Sequence, residues 1–199
     1  LSALDIPHAG THQWGVPVAS TRPGIYIISL CPGPDSLAAL PSAPIDLTLI
    51  ERWIGRVPRM VLDRQRPTIS VLAEYLRSFW LPDEPILYIG TATSLRSRLN
   101  QFVNHTLGDR APHKGGHWLK TLNILDELHI HYAVATSPDH ALDLESRAIR
   151  LFSEHVSDAS RANLPRPEVA IPFANMRDHI RRRKQSRLRH QFNPRIATG

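Results

Sequence analysis

The chain has 199 residues, 42% of them hydrophobic, which is enough for one compact domain with appendages or two small ones and excludes disorder over most of its length. Its one cysteine, Cys31, cannot form an internal disulfide, no basic-then-apolar leader is visible, and no apolar run nears the roughly 20 residues that cross a bilayer. A cytoplasmic setting with no membrane partner is therefore expected. The net charge of +6 is uneven: residues 177–195 hold eight Lys/Arg against one acid, while the preceding body holds sixteen basic and seventeen acidic residues. Such a block suits a phosphate-backbone partner, and it equally suits a solvated helix end.

In chain order, residues 1–20 carry turn formers and neither hydrophobic period, so they read as an arm with no fold of its own. Residues 24–30 read as an apolar, β-branched strand, and the proline-rich stretch that follows as a loop. Asp46 caps a helix through Leu47, Ile50 and Trp53 that Pro58 stops, and Thr68 caps another through Leu72, Tyr75, Leu76 and Phe79. These two helices form an excursion over about residues 45–82. Residues 86–90 then return as a strand, and Ser94 caps a helix from Leu95 to about Asn104.

A His- and Gly-rich loop leads into a short amphipathic helix around Trp118, Leu119 and Leu122. Leu128, Ile130 and Tyr132 alternate with His129 and His131 as in a half-buried strand with the histidines toward solvent. Ser137 and Pro138 cap a helix to about His155, in which Leu142, Glu145, Ile149 and Phe152 form one stripe, so a single carboxylate stands in an apolar row. Rotating that stripe toward Leu144, Ala148 and Leu151 would make Glu145 a surface acid. Residues 156–175 read as irregular, and 177–190 as a basic helix within a C-terminal tail of residues 177–199.

Gly24-Ile25-Tyr26, Tyr88-Ile89-Gly90 and the arginine ten positions after the second tyrosine, Arg98, resemble the signature of the GIY-YIG nuclease superfamily. Glu145 takes the place of that family's metal-binding glutamate, and Pro172-Phe-Ala-Asn175 fits its closing Pro-x-x-Asn motif. The ordered set spans residues 24–175, within a domain of residues 21–176. It implies an α/β (α+β) domain with a small, mainly antiparallel three-stranded sheet flanked by helices. The sequence departs from the pattern in that 62 positions separate the tyrosines, so the excursion is an insertion whose closure cost grows only slowly with length. Asn163 lies nearer the usual distance from the glutamate but lacks the preceding proline, and it stands as the alternative to Asn175. Thr91 replaces a lysine found in some members, Phe102 replaces a Tyr or His, and His105, two turns after Arg98, is the candidate substitute.

The resemblance implies divalent-metal-dependent hydrolysis of DNA phosphodiester bonds. Glu145 would hold Mg²⁺ (or Mn²⁺), Arg98 would grip the scissile phosphate, and Tyr26 and Tyr88 would orient the attacking water. A phenol of pKa near 10 is only ~0.1% ionised at pH 7, so a base role for either tyrosine needs its pKa lowered by roughly two to three units, about 3 to 4 kcal/mol. His113, Lys114 and His117 are read as phosphate contacts or a polar loop, and Arg181, Arg182, Arg183 and Lys184 as DNA contacts from the tail. Structural zinc is not expected, because His113 and His117 straddle two glycines and no cysteine pair accompanies them. Cutting both strands from one centre implies a homodimer or two sequential nicks. The alternatives are a nucleic-acid-binding module that keeps the fold without cleaving, and an RNA-directed nuclease.

Overall fold

Two stretches of apolar, β-branched sequence become neighbours in one antiparallel sheet: β2 (Gly24–Ser29) and β4 (Ile86–Ala92) pair with Tyr26 opposite Gly90 and Ile28 opposite Tyr88. The computed structural model describes residues 1, 4–33, 39–109, 114–185 and 187–190, with the side chains of residues 114, 115 and 190 excepted. β5 (His129–Val134) flanks β2 on its other side, and β1 (Gly10–Gln13) pairs with β5, giving the order β1-β5-β2-β4. The expected three-stranded sheet therefore has four strands. The added strand comes from the N-terminal arm, which alternation alone did not disclose because its four residues gain their hydrogen bonds only against β5.

The helix caps work as the sequence suggests. Asp46 accepts from Thr48 and Leu49 N–H groups at the start of α1 (Leu47–Arg56), Thr68 caps α2 (Ile69–Arg77), Ser94 caps α3 (Leu95–Asn104) and Ser137 caps α5 (Pro138–His155). α4 (Lys114–Leu119) carries Trp118, and α6 (Asp158–Ala162) lies in a stretch that shows no helical period.

One sheet face, with Tyr26, Ile28 and Ile130, packs under α3 and under the insertion helices through Trp53, Leu72 and Leu76. The opposite face, with Ile25, Ile89 and Ala133, packs under α5. The protein is thus a mixed α/β fold with antiparallel sheets flanked by helices.

On α5 the buried row is Ala141, Leu144, Ala148, Ile149 and Phe152, while Leu142 is 44% exposed. The expected stripe is rotated toward Leu144 and Ala148, because the helix settles its small alanines against the sheet. Glu145 is left half-buried at the margin of this face.

Residues 177–190 do not form the expected helix. Arg177 bridges to Arg183, and β6 (Leu188–His190) pairs with β3 (Met60–Leu62), a strand inside the insertion. Insertion and tail are therefore tied together by a second, two-stranded sheet. Among the described residues no helix is long and apolar enough to cross a membrane.

Candidate active site

Tyr26 and Tyr88 meet across the β2–β4 pair with ring centroids 5.9 Å apart, despite the insertion between them. The contact exists because Gly90 has no side chain: a Cβ there would lie 2.6 Å from Tyr88 Cε1 and 2.8 Å from the Tyr26 hydroxyl. Gly24 answers a different demand, since a Cβ at that position would sit 2.2 Å from the Ala133 carbonyl oxygen of β5. From α3, Phe102 stacks on Tyr88 at 5.2 Å and meets Tyr26 edge-on at 6.2 Å, closing the apolar side of the pair.

Arg98 projects one turn earlier on the same helix. Its guanidinium is near enough to favour ionisation of Tyr26, Tyr88 and Glu145 alike, which places four sequence-predicted residues around the edge strand β4. Burial dominates the tyrosines even so. It raises Tyr26 well above the usual phenol range, helped by Tyr88 and opposed by Arg98, and with Glu145 it pushes Tyr88 up to about 12. At a pKa of about 12, Tyr88 is only ~10⁻⁵ ionised at pH 7, so the protein alone keeps both phenols neutral. The Tyr26 hydroxyl has no partner in hydrogen-bonding geometry among the described residues, although Tyr88 and Arg98 are close enough to affect its ionisation.

Tyr88, Glu145 and Asn175 line one cleft of about 190 Å³ together with Arg177, His179 and Arg181. Burial raises the Glu145 carboxyl above the usual range, and Arg181 and Arg98 oppose that shift. Arg98 also lines a neighbouring groove of about 380 Å³ with Thr91, Thr93, Ser97 and Gln101.

Asn175 serves the backbone. Its Oδ1 accepts the Ile89 N–H at 2.9 Å and its Nδ2 donates to the Ile89 carbonyl at 2.8 Å, while the Ala174 N–H donates to the Leu87 carbonyl. The Pro-x-x-Asn segment is a turn, closed by the Asn175 N–H donating to the Pro172 carbonyl, and it seals the free edge of β4 just beside Tyr88. Asn163 lies at the end of α6, exposed, with its side chain donating to the Ala159 carbonyl and its N–H to the Ser160 carbonyl, so these bonds stay within α6.

Several expected DNA contacts are placed elsewhere. Lys184 is 1% exposed, with its ammonium donating to the Pro172 and Phe173 carbonyls and lying over the rings of Phe79, Trp118 and Phe173, so it anchors the Pro-x-x-Asn turn and is no surface contact. Burial pushes its pKa well below the usual lysine range. His117 is also buried, accepting from the Gly108 N–H and stacked on Trp53, which removes it from any phosphate. His105 packs behind Phe102 with Nδ1 against the Phe102 carbonyl, and it does not line the cleft.

His131, expected on the solvent side, is half-buried and bonds Thr11, Ser29 and the Cys31 carbonyl. Arg182 is committed to Asp178 and to the Glu168 carbonyl, while Arg181 and Arg183 are exposed. His113 and the Lys114 side chain lie outside the described residues.

Among the described residues no three His, Cys, Asp or Glu side chains converge as a metal cage. Glu145 is a lone half-buried carboxylate with no hydrogen bond or ion pair to the described residues, in a polar cleft. That donor set fits a hard cation that keeps several waters and takes one protein carboxylate plus phosphate oxygens, and it does not fit zinc. No family model, no curated protein and no solved structure matches the chain, so the meaning of the cleft rests on its own chemistry.

Proposed function

We propose that the chain is a divalent-metal-dependent endonuclease with a GIY-YIG-type site that hydrolyses DNA phosphodiester bonds. The observation that carries this reading is the convergence of Tyr26, Tyr88, Arg98 and Glu145, supplied by four different elements, around the sealed edge of β4. Glu145 is the residue that would hold Mg²⁺ or Mn²⁺. When bound, the ion supplies charge stabilisation for the leaving oxygen.

Arg98 grips a nonbridging oxygen through its planar fork, a geometry lysine cannot copy. Tyr88 lines the cleft and meets the attacking water directly, as a neutral hydrogen-bonding group that orients it. Tyr26, 0% exposed, acts through Tyr88. Asn175 keeps β4 in place, and with it Tyr88. The groove of Thr91, Thr93, Ser97 and Gln101 offers polar side chains along the path of the substrate strand.

One observation favours a second reading, a nucleic-acid-binding module without cleavage: both tyrosines are held neutral by burial. Plasmid nicking with Mg²⁺ against EDTA, repeated on branched and single-stranded DNA and on RNA, separates the readings. Cutting that needs metal and is lost in Glu145→Ala and Arg98→Ala is the expected result. Metal-dependent cutting that survives both substitutions would sink the site, and binding without any cutting would leave the non-catalytic module.

A further inference from the structure

The cleft carries a cation that the paired-tyrosine motif does not include. Arg181 lines it with Glu145, Asn175 and Arg177, its side chain makes no hydrogen bond or ion pair with the described residues, and its charge bears on the Glu145 carboxyl ahead of that of Arg98. The loop that presents it is a built one. Asp178, 4% exposed, accepts the Arg182 N–H at 2.7 Å and its Nε at 2.6 Å, while the Asp178 N–H donates to the Arg182 carbonyl and the Arg181 N–H to the Asp178 carbonyl.

Inside this ring of bonds Arg181 takes φ of 67°, a left-handed backbone that disfavours a side chain and persists only where the surroundings enforce it. Lys184, locked in its aromatic box three residues on, fixes the far end of the loop to the turn that carries Asn175. A loop restrained at both ends thus holds the Arg181 guanidinium toward the cleft.

We propose that Arg181 is a second phosphate-gripping catalytic residue, closing on the scissile phosphate from the cleft while Arg98 reaches it from the neighbouring groove, with Glu145 beside it. This rests on the nuclease reading above. Arg177 and Arg181 line the cleft against Glu145, with Asp178 already paired to Arg182, and Arg98 adds its charge from the neighbouring groove, so the site keeps a net positive charge. That charge suits a phosphodiester anion and, more strongly, the added negative charge that develops as water attacks. The tail is then a wall of the active site, and its basic composition marks a catalytic element as well as a general attraction to DNA.

The test is single-turnover cleavage of a short labelled duplex with Mg²⁺ by the wild type, Arg181→Ala, Arg181→Lys and, as a charge control on the outer face of α5, Arg150→Ala. Binding of the same duplex is read by anisotropy in a Glu145→Gln background. Arg181→Ala is expected to lower the cleavage rate by about 10²-fold or more while affinity falls less than about tenfold. Arg181→Lys should recover only part of the rate, and added guanidinium ion should restore part of the activity of Arg181→Ala. Arg150→Ala should cleave within about threefold of the wild type.

A correctly folded Arg181→Ala that cleaves within threefold of the wild type overturns the clamp and leaves the nuclease reading standing. So does one whose loss is entirely in affinity. A wild type that cuts no duplex, branched or single-stranded DNA with Mg²⁺ or Mn²⁺ overturns both.

Discussion

Gly90→Ala tests the geometry of the tyrosine pair with one methyl group. The backbone at Gly90 is not left-handed, so alanine is conformationally acceptable and the perturbation is purely steric. The new Cβ would stand 2.6 Å from Tyr88 Cε1 and 2.8 Å from Tyr26 Cζ, whereas ordinary contact begins at 3.4 Å, so the Tyr88 ring has to retreat by about 0.8 Å. Phe102, stacked behind it at 5.2 Å and 0% exposed, blocks an easy retreat.

Overpacking of this kind costs about 1–3 kcal/mol of stability, and a displacement approaching 1 Å in a reacting group costs on the order of 10²-fold in rate. Chemical denaturation and steady-state nicking under saturating Mg²⁺ read the two effects separately. The expected outcome is a folded protein with a modestly lowered midpoint, kcat down by about two orders of magnitude and KM little changed. If Gly90→Ala cleaves within about threefold of the wild type, the tyrosines are packing residues only and take no part in the chemistry.

Asn175→Ala should cost about 2–4 kcal/mol in urea denaturation, because it strands both hydrogen-bonding groups of Ile89 at a buried edge, whereas exposed Asn163→Ala should stay within about 0.5 kcal/mol; the reverse ranking would return the closing role to Asn163. Glu145→Gln should stabilise the protein at pH 7. The folded-state pKa of Glu145 is raised, so ionisation costs stability progressively above the unfolded-state value of about 4.3 and fully above the folded one, and the gain should vanish below about pH 4, where the carboxyl is largely neutral in both states; a gain independent of pH would refute burial as the cause. Lys184 is depressed in the folded state, so the unfolded chain binds more protons and wild-type stability should rise with pH toward about 10.4 relative to Lys184→Met. Parallel stability curves for the two proteins would show that the ammonium is not desolvated.

What was legible in the sequence is what local chemistry encodes. Asp46, Thr68, Ser94 and Ser137 each announce a helix start because a side-chain oxygen satisfies an N–H three or fewer residues away, and the two tyrosine strands announce themselves by composition. The illegible parts depend on distant partners. β3 and β6 are three residues each and exist only because Met60–Leu62 meets Leu188–His190.

Lys184 looks like its basic neighbours until Phe79, Trp118 and Phe173, spread over almost a hundred positions, assemble a box around it. Within the site, residues of a linear motif could be named, but the loop carrying Arg181 could not, since its shape is set by Asp178 and Lys184 and not by any period. The raised tyrosine pKa values were likewise invisible, because desolvation is a property of packing.

The pairing of β3 with β6 and the sealing of β4 by residues 172–175 also set an order in time. Translation delivers Tyr26, Tyr88, Arg98 and Glu145 first, and only afterwards the segment that braces β4, brings Arg181 to the cleft and ties down the insertion. A growing polypeptide therefore carries the motif residues without the wall that completes them. On the proposed nuclease reading, the order of synthesis would act as a safety catch, since a product truncated before residue 172 lacks both the brace on β4 and Arg181.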